Sequence, residues 1–289
     1  MNNFKFIKNI NSLKESEFNN LLDIDDSPFI KYGFLESLEN SKSISKINGW
    51  EPNHLTLFKE KKLEGFMPLY IKHNSHGEFV FDHQWSYALN RAGRNYYPKL
   101  LTAIPFTPCE SKKIIKNRKL DYEIFIKEVK DFMHAANIET WHILFPDEDI
   151  NKSLIDNNFI KRTGYKFIWN NKKYSSFEDY LEIFTSRQRK NIKNERNKIK
   201  KAGVSFDIKD KSNLVVQDWN DFYAFYKNTY LQRLQEPYLN FEFFKGIHKK
   251  RKQLNPVIFF AEKDQKRVAA SLFFNRKSVL YGRNWGTSS

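Results

Sequence analysis

The sequence predicts an α+β protein of two adjoining domains, in which mostly antiparallel sheets are flanked by helices. The length of 289 residues corresponds to about two domains of roughly 100–200 residues each. Hydrophobic residues make up 40% of the chain and aromatic residues 16%, which is enough for a core and excludes a disordered protein. Helical and alternating patterns of apolar residues follow one another along the chain, as is typical of the α+β class.

The first predicted domain covers residues 1–170 and begins with a helix and a hairpin. Ser27 can cap a helix over 27–40, with Pro28 at its first position. Strands at 54–58 and 65–71 form the antiparallel hairpin. The further predicted elements are a helix at 84–92, a strand at 100–104, a helix at 121–135, a strand at 140–145, a helix at 149–157 and an extended segment at 159–169.

The second predicted domain, 171–289, begins with one long basic helix over 177–202 that ends at Gly203. Its predicted apolar stripe consists of Phe177, Leu181, Phe184, Ile192 and Ile199. The later elements are a strand at 204–208, helices at 218–231 and 241–251, and strands at 257–262, 267–274 and 278–285. This order resembles the opening of the GCN5-related acyltransferase fold, so we expect two tandem domains of this type, with the second truncated.

The charge of the chain predicts an anionic partner. Lys and Arg number 49 against 34 Asp and Glu, and nucleic acid, acidic lipid and phosphorylated small molecules all match this excess. A lysine-rich composition without any such partner is the alternative. The single cysteine, Cys109, excludes an internal disulfide framework. Without a signal peptide or an apolar run of about 20 residues, we expect a cytoplasmic protein, with peripheral membrane contact left open.

Ten short strings, in order along nearly the whole chain, carry a family resemblance. They are SPF (27–29), FLESLE (34–39), GWEPNHL (49–55), PLYIK (68–72), SHGEFVFD (75–82), YYPKL (96–100), PFTP (105–108), RQRKNIKNER (187–196), YLNFEFF (238–244) and LYGRNWG (280–286). Together they resemble the FemAB-like family of peptidoglycan biosynthesis or recognition proteins, placed among the GCN5-related N-acetyltransferases. The chain differs from the family pattern at Asn74, after PFTP at Cys109, and at Thr287.

The resemblance implies an enzyme that transfers an acyl or aminoacyl group to an amine, with a peptidoglycan-type precursor as one acceptor. It implies no tightly bound cofactor, and acyl-CoA or aminoacyl-tRNA as the donor. The anionic partner is then acyl-CoA, tRNA or a lipid-linked precursor. Family members continue beyond the GRxWG string, so the resemblance implies that this chain is a fragment. The alternative is a non-catalytic recognition module that binds an anionic polymer or a cell-wall precursor through its basic helix.

Candidate catalytic residues lie in a polar stretch of the first domain. Glu78 and Asp82, with His76, are candidates for the general base that an attacking amine requires. Tyr97 is a candidate general acid for the leaving group, and Lys99 a candidate for binding a phosphate or carboxylate. The alternative is a polar loop whose acidic side chains accept backbone hydrogen bonds. We predict no metal site, because the spacing of the histidines is not embedded in a helix.

Further candidate binding residues come from both domains. Trp85 is a candidate for substrate contact, and Arg283 and Trp285 are predicted to share one side of the last strand. There Arg283 can hold an anion while Trp285 packs against a sugar or peptide; packing at the edge of the core is the alternative. The candidate anion-binding residues of the basic helix are Arg187, Arg189, Lys190, Lys193 and Arg196. A solvated helix face is the alternative for these residues.

Overall fold

A computed structural model describes residues 3–165 and 167–288, and within them the protein is a mixed α+β fold with three four-stranded sheets. Two of these sheets belong to the first half. The first sheet has the order β1 (Asn3–Ile7), β3 (His54–Lys59), β4 (Lys62–Met67), β7 (Ile115–Lys116), and the second has the order β2 (Trp50–Pro52), β5 (Tyr70–Lys72), β6 (Lys99–Thr102), β8 (Trp141–Ile143). All neighbouring strands are antiparallel except β6 and β8, which are parallel.

Local sequence signals position the elements of the first half. Its helices are α1 (Glu15–Asn19), α2 (Tyr32–Asn40), α3 (His83–Arg91), α4 (Glu123–Ala135) and α5 (Asn151–Asp156). The Ser27 side chain accepts a hydrogen bond from the Phe29 backbone and starts a 3-10 turn that leads into α2. The hairpin β3–β4 turns at Glu60 and Lys61, which both have positive φ, as the twist of a two-residue hairpin requires. The predicted hairpin is therefore confirmed, but the α-helix predicted over 27–40 begins only at Tyr32. The strand predicted at 65–71 is divided between β4 and β5, which belong to different sheets.

The predicted long helix over 177–202 is wrong, because the structure divides it into α6 (Phe177–Leu181) and α7 (Ser186–Lys201). Thr185 and Gln188 form a capping box, in which each side chain bonds the other's backbone N–H, and this arrangement starts a new helix. The apolar residues of the two helices therefore do not form one stripe, and α7 contains no buried residue.

The second half contains an antiparallel meander with helices packed on it. Its sheet has the order β12 (Val279–Thr287), β11 (Lys266–Arg276), β10 (Pro256–Lys263), β9 (Ser205–Lys209). Its helices are α8 (Val216–Leu231), α9 (Phe241–Lys249) and α10 (Arg251–Leu254). The predicted order of strands and helices after α7 is confirmed. Within the described residues, no helix combines the length and the apolar character needed to cross a bilayer.

One hydrophobic core joins the two halves. The ring of Phe34 in α2 lies 5.5 Å from that of Phe243 in α9 and 6.0 Å from that of Phe274 in β11. All three side chains are fully buried. Phe29 extends the same cluster toward Tyr281 in β12. The domain boundary at residue 170 stays a prediction. The side chains that pack between the two halves are part of the hydrophobic core.

Truncation of Phe34 tests this shared core. Phe34→Ala is expected to lower the free energy of unfolding by about 3–5 kcal/mol, because it removes contacts to rings of both halves and leaves a cavity. Urea denaturation followed by tryptophan fluorescence measures the loss. Phe81→Ala is the control: Phe81 is 83% exposed, so its truncation should change stability by less than about 0.5 kcal/mol. Equal losses in the two variants would contradict a core shared between the halves.

Candidate functional site

A buried lysine organises the polar stretch that follows β5. The Nζ of Lys99, the first residue of β6, lies 2.5 Å from Oδ2 of Asp82, 2.8 Å from Oε2 of Glu78 and 2.8 Å from Oγ of Ser75. The side chains of Lys99, Glu78 and Asp82 are all fully buried. Hydrogen bonds between charged groups are short and strong in such surroundings. They therefore fasten the segment between β5 and α3 to strand β6.

A second lysine completes the charge balance of the site. Lys72 ends β5 on the same inward side as Tyr70, and its Nζ lies 3.9 Å from Oε1 of Glu78. The same Nζ donates a hydrogen bond to the His76 carbonyl and lies 3.8 Å from the ring centroid of Trp50. Burial lowers the pKa of Lys72 to about 7. Two lysines thus face two carboxylates, and one of the lysines titrates near neutral pH.

The two carboxyl groups differ as bases. Burial raises the pKa of Glu78 in spite of the neighbouring Lys99 ammonium. Burial opposes ionisation of Asp82 as well, but hydrogen bonds from Lys99 and Tyr96 outweigh it and lower the pKa of Asp82 to about 2. Glu78 is therefore the stronger base of the pair. Burial, with a contribution from Lys99, lowers the pKa of His142 to about 4, so this imidazole is neutral at pH 7.

A chain of hydroxyl groups leads outward from the carboxylates. Ser75 Oγ donates to Oδ2 of Asp82 at 2.8 Å, and the hydroxyl of Tyr97 lies 2.6 Å from Ser75 Oγ. A serine hydroxyl has a single hydrogen, so Tyr97 donates to Ser75. Tyr97 is half-buried and forms the outer end of this chain. The Lys99 cluster is defined as Lys72, Ser75, Glu78, Asp82, Tyr96, Tyr97, Lys99 and His142.

The Lys99 cluster contains three side chains of the kinds that bind metal ions. Glu78, Asp82 and His142 offer ligand atoms that all lie within 4.8 Å of one another. The Lys99 ammonium, however, already bonds both carboxylates. A metal ion bound by these residues would have to lie beside that ammonium, with like-charge repulsion between them. The residues therefore fit an internal lysine better than a metal ion.

Of the six site residues predicted in the first half, the structure brings four together and leaves the side chains of His76 and Trp85 outside the Lys99 cluster. Glu78, Asp82, Tyr97 and Lys99 all belong to the Lys99 cluster. Lys99 was expected to bind a substrate anion, but internal partners occupy its ammonium. The exposed His76 contributes its backbone carbonyl, which accepts bonds from Trp50 Nε1 and Lys72. Trp85 is 42% exposed on α3, a helix without buried residues.

Sequence reasoning missed three members of the Lys99 cluster, namely Lys72, Ser75 and His142. The alternation within β5 is a signal for Lys72, because Tyr70 and Lys72 share the inward side of that strand. Nothing local to His142 indicates a site, because its contact with Tyr96 joins residues 46 positions apart. Only the parallel pairing of β6 with β8 brings this histidine to the cluster.

Arg283 and Trp285 do not share surroundings, and a β-bulge is the reason. Leu272 pairs with Asn284 while the next residue, Phe273, pairs with Gly282, so Arg283 is the extra residue of β12. A bulge interrupts the alternation of side chains and changes the direction in which one of them points. Arg283 donates to Thr107 Oγ1 at 2.7 Å, whereas Trp285 is 59% exposed. The predicted common side is therefore wrong.

The side chains of the basic helix α7 make local contacts. Arg189 donates to the Phe184 carbonyl at 3.2 Å, and the Arg196 guanidinium lies 4.0 Å from the ring centroid of Phe177. Arg187, Lys190 and Lys193 are exposed on the same helix. No hydrogen bond, ion pair or ring contact among the described residues joins α7 to the Lys99 cluster. An anion-binding role for these five residues stays a prediction.

Comparison with known proteins identifies the family. A family model described as FemAB-like, peptidoglycan biosynthesis/recognition, matches residues 9–289. The chain belongs to the FemAB-like family. No curated protein matches this FemAB-like chain.

Two solved structures are similar to this FemAB-like chain at low identity. One is the C-terminal domain (DUF2156) of a protein described as a lysylphosphatidylglycerol synthetase from Agrobacterium fabrum, with 10% identity and a TM-score of 0.49. The alignment covers 95% of this chain and 67% of that one. The other is FemX, with 11% identity, a TM-score of 0.47, and coverage of 96% of this chain and 80% of FemX.

Replacement of Lys99 tests the ion pairing of the cluster. Lys99→Met is expected to destabilise the protein by about 3–5 kcal/mol at pH 7, because two buried carboxylates lose their counter-charge. In the variant, the pKa of these carboxyl groups is higher in the folded protein than in the unfolded protein. Protonation at low pH therefore favours the folded state, so the loss of stability should be smaller at pH 4 than at pH 7. Urea denaturation at both pH values measures the difference.

Lys127→Met is the matched control for this variant. It removes the same charge from an exposed position of α4, where substitutions change stability by about 0.5 kcal/mol at most. A loss in Lys99→Met that did not exceed this control, or that did not depend on pH, would contradict the pairing described here.

Proposed function

We propose that the protein transfers an acyl or aminoacyl group to an amine of a peptidoglycan-type precursor. The observation that carries this proposal is the half-buried Tyr97 hydroxyl at the outer end of a hydroxyl chain leading to buried carboxylates. Amide formation requires a route for the proton that the amine loses, and such a chain supplies one. Membership of the FemAB-like family supports the class of acceptor.

The proposed reaction moves one proton from the amine to the leaving group. The amine nitrogen attacks the carbonyl carbon of the donor, a C–N bond forms, and the C–O or C–S bond to the leaving group breaks. Tyr97 accepts the amine proton as its own passes through Ser75 to the carboxylates beside Lys99. Ser75 donates to Asp82, so Asp82 is the first acceptor on this route. Lys99 bonds both carboxylates, and Glu78, with its raised pKa, is the stronger base of the two. Return of the proton through Tyr97 protonates the leaving oxygen or sulfur, and the network ends as it began.

The donor and the domain arrangement belong to the same proposal. Acyl-CoA and aminoacyl-tRNA are the two donor classes, and both fit a reaction in the cytoplasm. We also propose that residues 1–170 and 171–289 are two acyltransferase-like domains of the GCN5-related type. The order of elements from β9 to β12 supports this assignment for the second domain.

Removal of one hydroxyl group tests the proposed proton route. Tyr97→Phe is expected to lower the transfer rate by about 10²-fold or more, with an unchanged unfolding midpoint, because only the outer hydroxyl of the chain is lost. Transfer of radiolabelled acyl and aminoacyl groups to a lipid-linked precursor measures the rate for each donor. Tyr87→Phe, at an exposed position of α3, is the control and should keep full activity. Full activity in Tyr97→Phe, or in Glu78→Gln with Asp82→Asn, would remove the route from the mechanism.

A second candidate function is recognition of an anionic polymer by α7. Between residues 187 and 201 the helix has eight basic residues and one acidic residue, and none of its residues is buried. Lys and Arg in such a row attract a phosphate backbone without reading its sequence. This function does not require the Lys99 cluster.

The salt dependence of binding tests the second candidate. The combined variant Arg187→Gln, Lys190→Gln, Lys193→Gln should reduce the slope of log affinity against log salt by about 2–3 for duplex RNA, at roughly 0.9 per lost phosphate contact. Fluorescence anisotropy at several salt concentrations measures it. The control replaces Lys119, Lys127 and Lys152, exposed residues of the first half, in the same way. Equal changes of the slope in both variants would show that binding depends on the net charge of the protein and not on α7.

A further inference from the structure

A half-buried arginine without a carboxylate partner lies where the two halves meet. Arg283 belongs to β12 in the second half, and its two terminal nitrogens donate to Thr107 Oγ1 and to the Phe106 carbonyl in the first half. Its guanidinium also lies 4.9 Å and 5.3 Å from the ring centroids of Phe34 and Phe29. In the described part of the chain, no carboxylate forms an ion pair with it. Burial lowers the pKa of Arg283 to about 10, so the guanidinium is still charged at pH 7.

Such a charge is costly unless something balances it. A buried ion without a counter-ion loses several kcal/mol of hydration, and buried charges in proteins are normally paired. The same sheet shows the ordinary arrangement at Arg267, whose guanidinium lies 2.8 Å from Asp218 and 2.7 Å from Asp221. Hydroxyl, carbonyl and aromatic partners compensate Arg283 only in part. Tyr226, Tyr230 and Cys109 also favour the charged form of Arg283, but none of these three side chains is a carboxylate.

Hydrogen-bonding groups next to the guanidinium are also left unused. The Nε of Arg283 and the Oδ1 of Asn284 are both buried and have no hydrogen-bond partner among the described residues. The β-bulge in β12 brings these two consecutive residues against the core instead of on opposite sides of the strand. The unused Nε–H of Arg283 is therefore a donor available to an anion, whereas the unused Oδ1 of Asn284 is an acceptor that requires an N–H or O–H group.

Strained backbone surrounds the same place. Phe79 and Phe106 have φ of +58° and +54°, values that bulky residues rarely adopt. Both rings contact Tyr238, at centroid distances of 6.0 Å and 5.0 Å, and Phe106 also provides the carbonyl that Arg283 bonds. Strain of this kind persists where the surrounding structure enforces it, and it is concentrated at ligand-binding sites.

We propose that Arg283 anchors an oxyanion of the substrate, a carboxylate or a phosphate group, at the junction of the two halves. A guanidinium offers paired donors that match either group. The anchor is connected to the Lys99 cluster through two rings: Phe106 lies 5.4 Å from Trp50, and Trp50 lies against Lys72. This inference rests on the proposed function and deepens it, because it names the part of the substrate that is held while the amine reacts near Tyr97.

Direct binding to the full chain tests the anchor independently of catalysis. The probes are inorganic pyrophosphate and an N-acetyl dipeptide with a free carboxylate, and the amide of that dipeptide is the neutral control. Calorimetry should show that the wild type binds at least one anionic probe, and its identity distinguishes a phosphate from a carboxylate source. Arg283→Gln should weaken this binding at least about tenfold, whereas Arg118→Gln, which removes an exposed charge, should not.

Two further variants keep the test decisive if Arg283→Gln does not fold. Arg283→Lys retains the charge and loses the fork of donors, so it should weaken binding of the same probe, whereas Asn284→Ala removes only an unused acceptor and should not weaken it. No binding of either anion to the wild type, or equal binding by all variants, would overturn the anchor. If the wild type bound the anion but transferred no acyl or aminoacyl group, that result would count against the proposed function and not against the anchor.

Discussion

The Lys99 ammonium, buried between the carboxylates of Glu78 and Asp82, is the interaction on which the rest of the site depends. A charge in this position is stable only while its partners stay within bonding distance. The segment that supplies those partners is therefore fixed against β6. The same segment carries Ser75, which orients the Tyr97 hydroxyl, and the His76 carbonyl, which bonds Trp50. The ion pairs of Lys99 thus fix the positions of the hydroxyl chain and of the Trp50 ring.

Ring contacts that begin at Trp50 extend this constraint across the molecule. Trp50 contacts Phe106, Phe106 stacks on Tyr238 at an interplanar angle of 17°, and Tyr238 contacts Tyr230 of α8. Gly77 is required for the approach on the first side, because a Cβ there would lie 2.4 Å from the Phe106 ring. Since Phe106 also bonds Arg283, the positions of the Lys99 cluster and of this arginine are coupled through packed rings.

The sequence predicts those features that depend on neighbouring residues. The meander from β10 to β12 is marked by alternation and turn residues, and the hairpin β3–β4 by a short polar turn. Glu78 and Asp82 are recognisable as candidate acids from residue type alone. The burial of Lys99 and Lys72 cannot be predicted in this way, because a lysine at the end of a strand is usually solvated. The bulge at Arg283 depends on the register between two strands, and no periodicity within either strand specifies it.

The positive charge of the chain acts in two different ways. The exposed lysines and arginines of α7 produce a field that attracts anions over about 10 Å at moderate salt and that added salt weakens. Arg283 is half-buried, so salt screens it less, and an anion must lose part of its hydration to pair with it. Attraction by the first group selects for charge, whereas pairing with Arg283 selects for shape and for hydrogen-bonding geometry. Under the proposed anchor, specificity for a substrate would therefore depend on Arg283 much more than on the basic helix.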